Sequence, residues 1–397
     1  LAAVMYGLLL VGLLAFTPYN AYTQSVIFIL ALAVFPEAIF SICQALFEAY
    51  ERLFPPSAVA FTSSVFKLSV GIWMVYQGYS AQAIAWIVPL GSMLGLLLFI
   101  PALIQLFRRT QSTTAGRFDW RFSYHALRNT PDFFIIHIFS LLDYQTDAFL
   151  ISLLLSEQHV GWYGAAQTTL LAFWMLPNAI RAAIYPLMAR YHQAKSEKLS
   201  VLYEEVSRYL IVAILPMAAG VSLLAEPIIS LIFDDSFGPA VPTLRWSIWA
   251  VVFGTLNVPS ARLLIIDNRQ REAAWITGLS MVTNVICNLW LIPLYGIVGA
   301  AIARLIASAV FATLIYIYAQ MLVLQKNLLP LFWRPLVATA LMSLVVWQLQ
   351  PWGLIAAILG GVISYTVIIF AIGGLSAADK LYLQQLLYKT NHSTLGK

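Results

Sequence analysis

The charged and polar side chains that interrupt the apolar stretches of this chain fall into a few patterned groups. Glu37, Ser41, Gln44 and Glu48 follow i, i+4, i+7, i+11, which is one stripe on a helix. Lys67 has Ser63 and Ser64 one turn before it. Asp143 and Asp147 stand at i, i+4. Gln167, Trp174, Asn178 and Arg181 form another helical stripe, and Glu226, Arg245 and Arg304 complete the set. An ionised group inside hydrocarbon is costly, so each of these positions is a functional candidate. Two chemistries fit. Lys67, Arg181 and Arg304 in a water-filled cavity would hold an anionic substrate, arginine through its bidentate fork. Glu37, Asp143 and Asp147, with Gln44, Gln167 and Asn178, would line that cavity or carry a coupling ion. The plainer alternative is neutralisation within the bundle, Glu37 with Lys67 and Asp147 with Arg181. Arg304 has no acid near it in sequence, which marks it as the lone cation of the set.

The elements that must position these groups are membrane helices. Of the 397 residues, 61% are hydrophobic and 10% are charged, and the mean hydropathy is +0.83. A soluble domain carries about 25% charged residues, so an ordinary cytosolic enzyme, a secreted domain and a disordered chain are excluded. The long unbroken apolar runs lack the alternation of an outer-membrane barrel. With about 20 apolar residues needed per crossing, twelve spans are read at 1–16, 23–47, 57–76, 82–107, 131–154, 163–188, 209–232, 243–266, 273–293, 297–323, 332–349 and 353–374. The expected fold is an all-α polytopic bundle. Its expected parts are an N-terminal lobe over 1–107, a linker over 108–130, a C-terminal lobe over 131–323, and two extra helices with a tail over 324–397.

Basic residues set the orientation. The loops at 17–22, 77–81, 155–162, 233–242, 294–296 and 350–352 hold no Lys or Arg, while the opposite set and its flanks hold 18 of the 22. The positive-inside rule puts that second side, with the C-terminus, in the cytoplasm. The net charge of +5 is therefore a topology signal and does not point to nucleic acid. The charged stretch 190–206, with Leu199, Leu202 and Val206 at helical spacing, reads as an amphipathic surface helix. The chain opens at Leu1 inside an apolar run, without a start Met, and reads as beginning partway through a longer protein.

GYSAQAIAWI from Gly78 aligns with GIVGAAIARL from Gly296, six spans apart. Six is even, so the two copies share an orientation. The pattern implies a parallel repeat, with room for a binding cavity between halves. Cys43 and Cys287 both lie in apolar stretches and suggest neither a disulfide framework nor a zinc site. The histidines His125, His137, His159, His192 and His392 are scattered. No HExxH, GxSxG or P-loop occurs, so no cofactor, metal or catalytic motif is expected. Short outer loops without Lys or Arg argue against a membrane glycosyl polymerase or ligase.

Four segments carry a resemblance. VGWYGAAQTTLLAFWMLPNAIRAAIYPLMARY from Val160 and NVICNLWLIPLYGIVGAAIARLIA from Asn284 resemble motifs of the polysaccharide-export (Wzx-type) flippases. Asp147 in DYQTDAFLISLLLSEQHVGWY matches the Asp that commonly precedes the first motif. QALFEAYERLFPPSAVAFTSSVFK from Gln44 is similar to a first-lobe region. The resemblance runs from about residue 23 to 323, and LIPLYGIVGAA is its most specific element. It implies a MATE-like fold of two six-helix lobes around a cationic cavity, with these spans as helices 3–14 of a fourteen-helix form. It also implies that the protein moves undecaprenyl-pyrophosphate-linked oligosaccharide, such as an O-antigen unit, across the bacterial inner membrane. The implied partners are the lipid-linked substrate, the bilayer and the polymerase machinery. The coupling ion, H⁺ or Na⁺, is left open. The competing readings are a cation-coupled drug exporter that uses Glu37, Asp143 and Asp147, and a scaffold in which every charge is paired.

Overall fold

The computed structural model describes residues 20–50, 52, 54–109, 131–321 and 327–374. Among these residues the secondary structure is entirely helical, and nine helices are long and apolar enough to cross a membrane. The chain is a multi-pass membrane protein. Expected span 1–16, most of the linker 108–130 and the tail lie outside the described residues. A helix stands at each of the other expected spans.

The chain divides into two compact units, Leu1–Asp119 and Trp120–Lys397. In the first, α1 (Ala21–Ala31) and α2 (Val34–Ala49) together make one crossing. Proline at position 36 cannot donate to the carbonyl four residues back, so the helix breaks at Leu32–Ala33 and restarts. Next come α3 (Phe54–Tyr76), the short α4 (Ala81–Ala85) and α5 (Ile87–Arg109). The buried Cys43, Phe47, Val59, Phe99 and Leu106 form the core of this unit. Phe40 meets Phe99 edge-on, with ring centroids 4.9 Å apart.

The second unit contains α6 (Pro131–Leu154), α7 (Glu157–Gln193), α8 (Lys198–Leu223), α9 (Ala225–Ile232), α10 (Ala240–Leu256), α11 (Val258–Ile266), α12 (Gln270–Tyr295), α13 (Ile297–Ala319), α14 (Trp333–Leu349) and α15 (Leu354–Ala371). Two of these differ from the sequence reading. The charged stretch after 197 is not a separate surface helix: it is the first part of α8. Leu199 and Tyr203 are buried against Val258, Leu263 and Ile315, and Leu202 and Val206 pack on the same cluster. The spacing expected to lie on the bilayer surface instead faces the unit's own interior. The expected span 209–232 also stops short, because α8 ends at Leu223 and α9 starts afresh at Ala225.

Unpaired carbonyls explain how the last two helices attach. Pro216 lacks the N–H that would bond the carbonyl of Val212, and Leu223 is the last residue of α8, so its carbonyl has no intrahelical donor. Tyr365 Oη on α15 donates to Val212 O at 2.6 Å, and Gln350 Nε2 after α14 donates to Leu223 O at 2.9 Å. Two backbone acceptors without an intrahelical donor are thus satisfied by the α14–α15 hairpin.

A structural echo accompanies the GYSAQAIAWI/GIVGAAIARL repeat. Ser63 Oγ on α3 donates to Gly91 O on α5 at 2.8 Å, and Ser280 Oγ on α12 donates to Ala307 O on α13 at 3.0 Å, over separations of 28 and 27 residues. Between each pair of helices lies a glycine with positive φ, +73° at Gly78 and +59° at Gly296.

Candidate functional site

Each unit holds a cluster of charges within its helices, and the two differ in kind. In the second unit α6 presents Asp143 and Asp147 on one face, α12 presents Asn284 and Asn288 at the same i, i+4 spacing, α7 brings Tyr163, and α13 brings Arg304. Arg304 Nε donates to Asp147 Oδ2 at 2.8 Å. Its other guanidinium nitrogens contact the carboxylate and the backbone carbonyl of Asp143. Asp147 also accepts from Tyr163 Oη at 2.6 Å and from Asn288 Nδ2 at 2.8 Å. Asn284 Nδ2 reaches Asp143 Oδ1 at 3.3 Å, and the two asparagines contact each other. Asp147 is 1% exposed. A buried carboxylate persists only with a counter-charge and filled lone pairs, and here it has both. Two carboxyl groups face one guanidinium. Asn288 Oδ1 is buried within it without a hydrogen-bond partner.

This corrects the sequence reading of Arg304 as a lone cation. Its acids lie 157 and 161 residues away in the chain, where no local pattern reveals them. Asp147, expected to face Arg181, is bonded to Arg304. Arg181 lies on α7, and its side chain falls outside the described residues. Tyr163, Asn284 and Asn288 were not among the expected site residues. The visible signal for the asparagines was their spacing, two amides one turn apart in an apolar helix, matching the spacing of the aspartates.

The first unit holds the Glu37–Lys67 pair that the sequence suggested. Lys67 Nζ lies 3.0 Å from Ser92 Oγ and 3.9 Å from Glu37 Oε1. The contact is loose, and the side chains are 31% and 55% exposed. Of the other expected residues, Gln44 and Asn178 are exposed, and Gln167 Nε2 reaches Ser247 Oγ at 3.4 Å. Glu226 and Arg245 pair at 3.8 Å on an exposed surface. The side chain of Glu48 lies outside the described residues.

Other features sit apart from these clusters. An apolar cavity of about 310 Å³ is lined by Phe173, Pro216, Val221, Met342, Gly361 and Tyr365. At the α11–α12 turn, Arg269 bonds Asp267 at 2.7 Å and Glu272 at 3.0 Å, and both carboxylates hold its guanidinium pKa up. His192, at the end of α7, lies 3.4 Å from Asp267. In the 233–242 loop, hydrogen bonds from Ser236 lower the pKa of the Asp234 carboxyl. Among the described residues no group of three or more His, Cys, Asp or Glu side chains gathers as a metal site.

Comparison with known proteins places this architecture. A family model described as polysaccharide biosynthesis protein matches residues 1–242, more than half of the chain. The chain belongs to this family. Among curated proteins, this family member is 26% identical over 166 residues to the probable low-salt glycan biosynthesis flippase Agl15 of Haloferax volcanii. The match covers 41% of this chain and 35% of that protein. It is also 26% identical over 174 residues to the probable flippase AglR of the same organism, covering 41% and 34%. The chain thus matches about a third of the length of these relatives. Among solved structures, lipid II flippase MurJ in its inward closed conformation superposes with a TM-score of 0.74. The sequence identity is 13%, and the superposition covers 97% of this chain and 83% of that one. The fold of this polysaccharide biosynthesis family member is therefore MurJ-like.

Proposed function

We propose that this chain is a transporter and not an enzyme: a flippase that moves lipid-linked oligosaccharide across a membrane by alternating access. Its family membership carries the reading, since the family is one of polysaccharide biosynthesis and the curated relatives are probable flippases. The physics agrees. A sugar-phosphate head cannot cross hydrocarbon unaided, whereas its lipid tail can stay in the bilayer. The finer reading is an undecaprenyl-pyrophosphate carrier bearing a surface-glycan unit of the O-antigen type. The proposed setting is the cytoplasmic membrane, with the C-terminus inside. Polysaccharide polymerase machinery is the proposed downstream partner, and H⁺ or Na⁺ is the proposed coupling ion.

The pairing of Arg304 shifts the substrate-binding role toward Lys67 and Arg181. It also weighs against a drug exporter that would load a cation onto Asp143 and Asp147, because Arg304 already engages both carboxylates. Complementation tests the reading. The complete gene is placed in a strain lacking its own surface-polysaccharide flippase, as wild type, Lys67→Gln and Arg181→Ala. Restored surface glycan with wild type, and accumulated lipid-linked units with folded, inserted variants, is the expected result. Rescue by all three would remove these cations from the substrate path. If wild type fails with several glycan types while the protein exports cationic drugs, the flippase reading is wrong.

A further inference from the structure

The first unit's cluster is built so that its ion pair can open. Lys67 stands mid-way along α3, a helix long and apolar enough to cross a membrane, where a charge is costly unless it is paired or lines a cavity. Its aliphatic stem lies across Gly91. A Cβ at that position would meet Lys67 Cγ at 2.5 Å and Cε at 2.7 Å, so only glycine leaves the stem this path. The ammonium is thereby delivered to Ser92 Oγ, while Glu37 stands further off at 3.9 Å. Ser92 has one hydroxyl proton and two acceptors within reach, Val88 O at 2.9 Å and Glu37 Oε1 at 3.1 Å. If Glu37 moves away, Ser92 keeps Val88 as its acceptor and still offers its oxygen to Lys67. No buried group is orphaned. Glu37, more than half exposed, is not locked in place by packing. The Arg304 cluster has no such freedom, because its Asp147 is buried and bonded from three sides.

We propose that Glu37 is an exchangeable counter-ion which occupies Lys67 until a phosphate-bearing head group displaces it, and that Gly91 is the residue that positions Lys67 for the exchange. This rests on the flippase reading and adds a selection rule to it. A monoanion gains nothing over Glu37, whereas a pyrophosphate of higher charge outcompetes it. Gly91 acts through Lys67 and touches no substrate, so it is a positioning residue.

The test is binding of inorganic pyrophosphate to the purified full-length protein in phosphatidylcholine nanodiscs, with and without phosphatidylglycerol. Glu37→Gln is expected to tighten binding about two- to fivefold, the scale of a half-exposed ion pair. Lys67→Gln is expected to weaken it roughly tenfold or more, since a charged hydrogen-bond donor is lost. Gly91→Ala should fall between wild type and Lys67→Gln. Inorganic phosphate as the monoanion should bind wild type more weakly than pyrophosphate does. If Glu37→Gln does not fold, Glu37→Asp, whose carboxylate is one methylene shorter, should tighten binding by a smaller factor. Unchanged or weaker binding in the folded Glu37 variant would overturn the exchange. Binding indifferent to Lys67→Gln, or absent from wild type, would overturn the site. Equal competition by phosphatidylglycerol would assign the site to ordinary phospholipid head groups and overturn the substrate role. The complementation result stands apart from all of these, so a failed exchange is distinguishable from a failed flippase reading.

Discussion

Arg304 and Asp147, separated by 157 residues, are joined by a 2.8 Å bond between Nε and Oδ2 in which the carboxylate is almost fully buried. Removing Arg304 strands the buried Asp147 and takes the counter-charge from Asp143, whereas removing Asp147 leaves Arg304 paired with Asp143. Arg304→Ala should cost on the order of 3–5 kcal/mol, and Asp147→Ala less. The double variant Asp147→Asn/Arg304→Gln should lose less than the sum of the single losses, because the buried Asp147 is neutralised and only the partly exposed Asp143 is left without its counter-charge. Thermal unfolding of the purified variants in detergent checks this. Additive losses would mean that the pair does not act as a unit.

The proline-released carbonyl of Val212 makes a second prediction. Tyr365→Phe should cost about 1 kcal/mol through loss of the bond to Val212 O. In a Pro216→Ala background the cost should shrink, because the introduced alanine supplies the missing intrahelical N–H. A double-mutant cycle on thermal stability reads the coupling directly.

Glycines at two sites should respond differently to a methyl group. At Gly299 an added Cβ runs into the Leu291 carbonyl and comes within 2.9 Å of Ile292 N, both backbone atoms that cannot swing aside. Gly299→Ala should therefore destabilise the α12–α13 pair by about 1–3 kcal/mol. At Gly91 the obstacle is a lysine stem, which can move, so Gly91→Ala should change ligand binding more than stability. Melting temperature and pyrophosphate affinity, measured side by side, separate the two cases.

Asp234 carries a pH signature. Its pKa is lowered below the ordinary value of 3.8 by the hydroxyl and backbone N–H of Ser236. A depressed carboxylate stabilises the folded state fully above its unfolded pKa and loses that contribution as pH falls through the folded value. The difference between wild type and Asp234→Ala should accordingly be constant at neutral pH and shrink only below about pH 4. Unfolding midpoints followed from pH 6 to pH 3 would show the convergence. The effect should be small, because the group is fully exposed.

The helices were legible because hydrophobicity and length are local quantities. Apolar runs of about 20 residues must become helices in a bilayer, where every backbone polar group has to be satisfied within its own segment. The Glu37–Lys67 pair was legible for a related reason, since both residues lie on helices close together in sequence. What sequence could not show is whatever depends on which helix faces which. The Leu199–Val206 stripe had an apolar face, but only packing decided that it meets the protein interior rather than the membrane surface. Arg304 looked unpartnered because its acids belong to a helix 157 residues away. Local composition is enough to say which segments enter the membrane and which carry charge there. Tertiary structure alone decided which charges neutralise one another, because buried electrostatics depends on distances of a few ångströms between helices whose order along the chain does not encode their contacts.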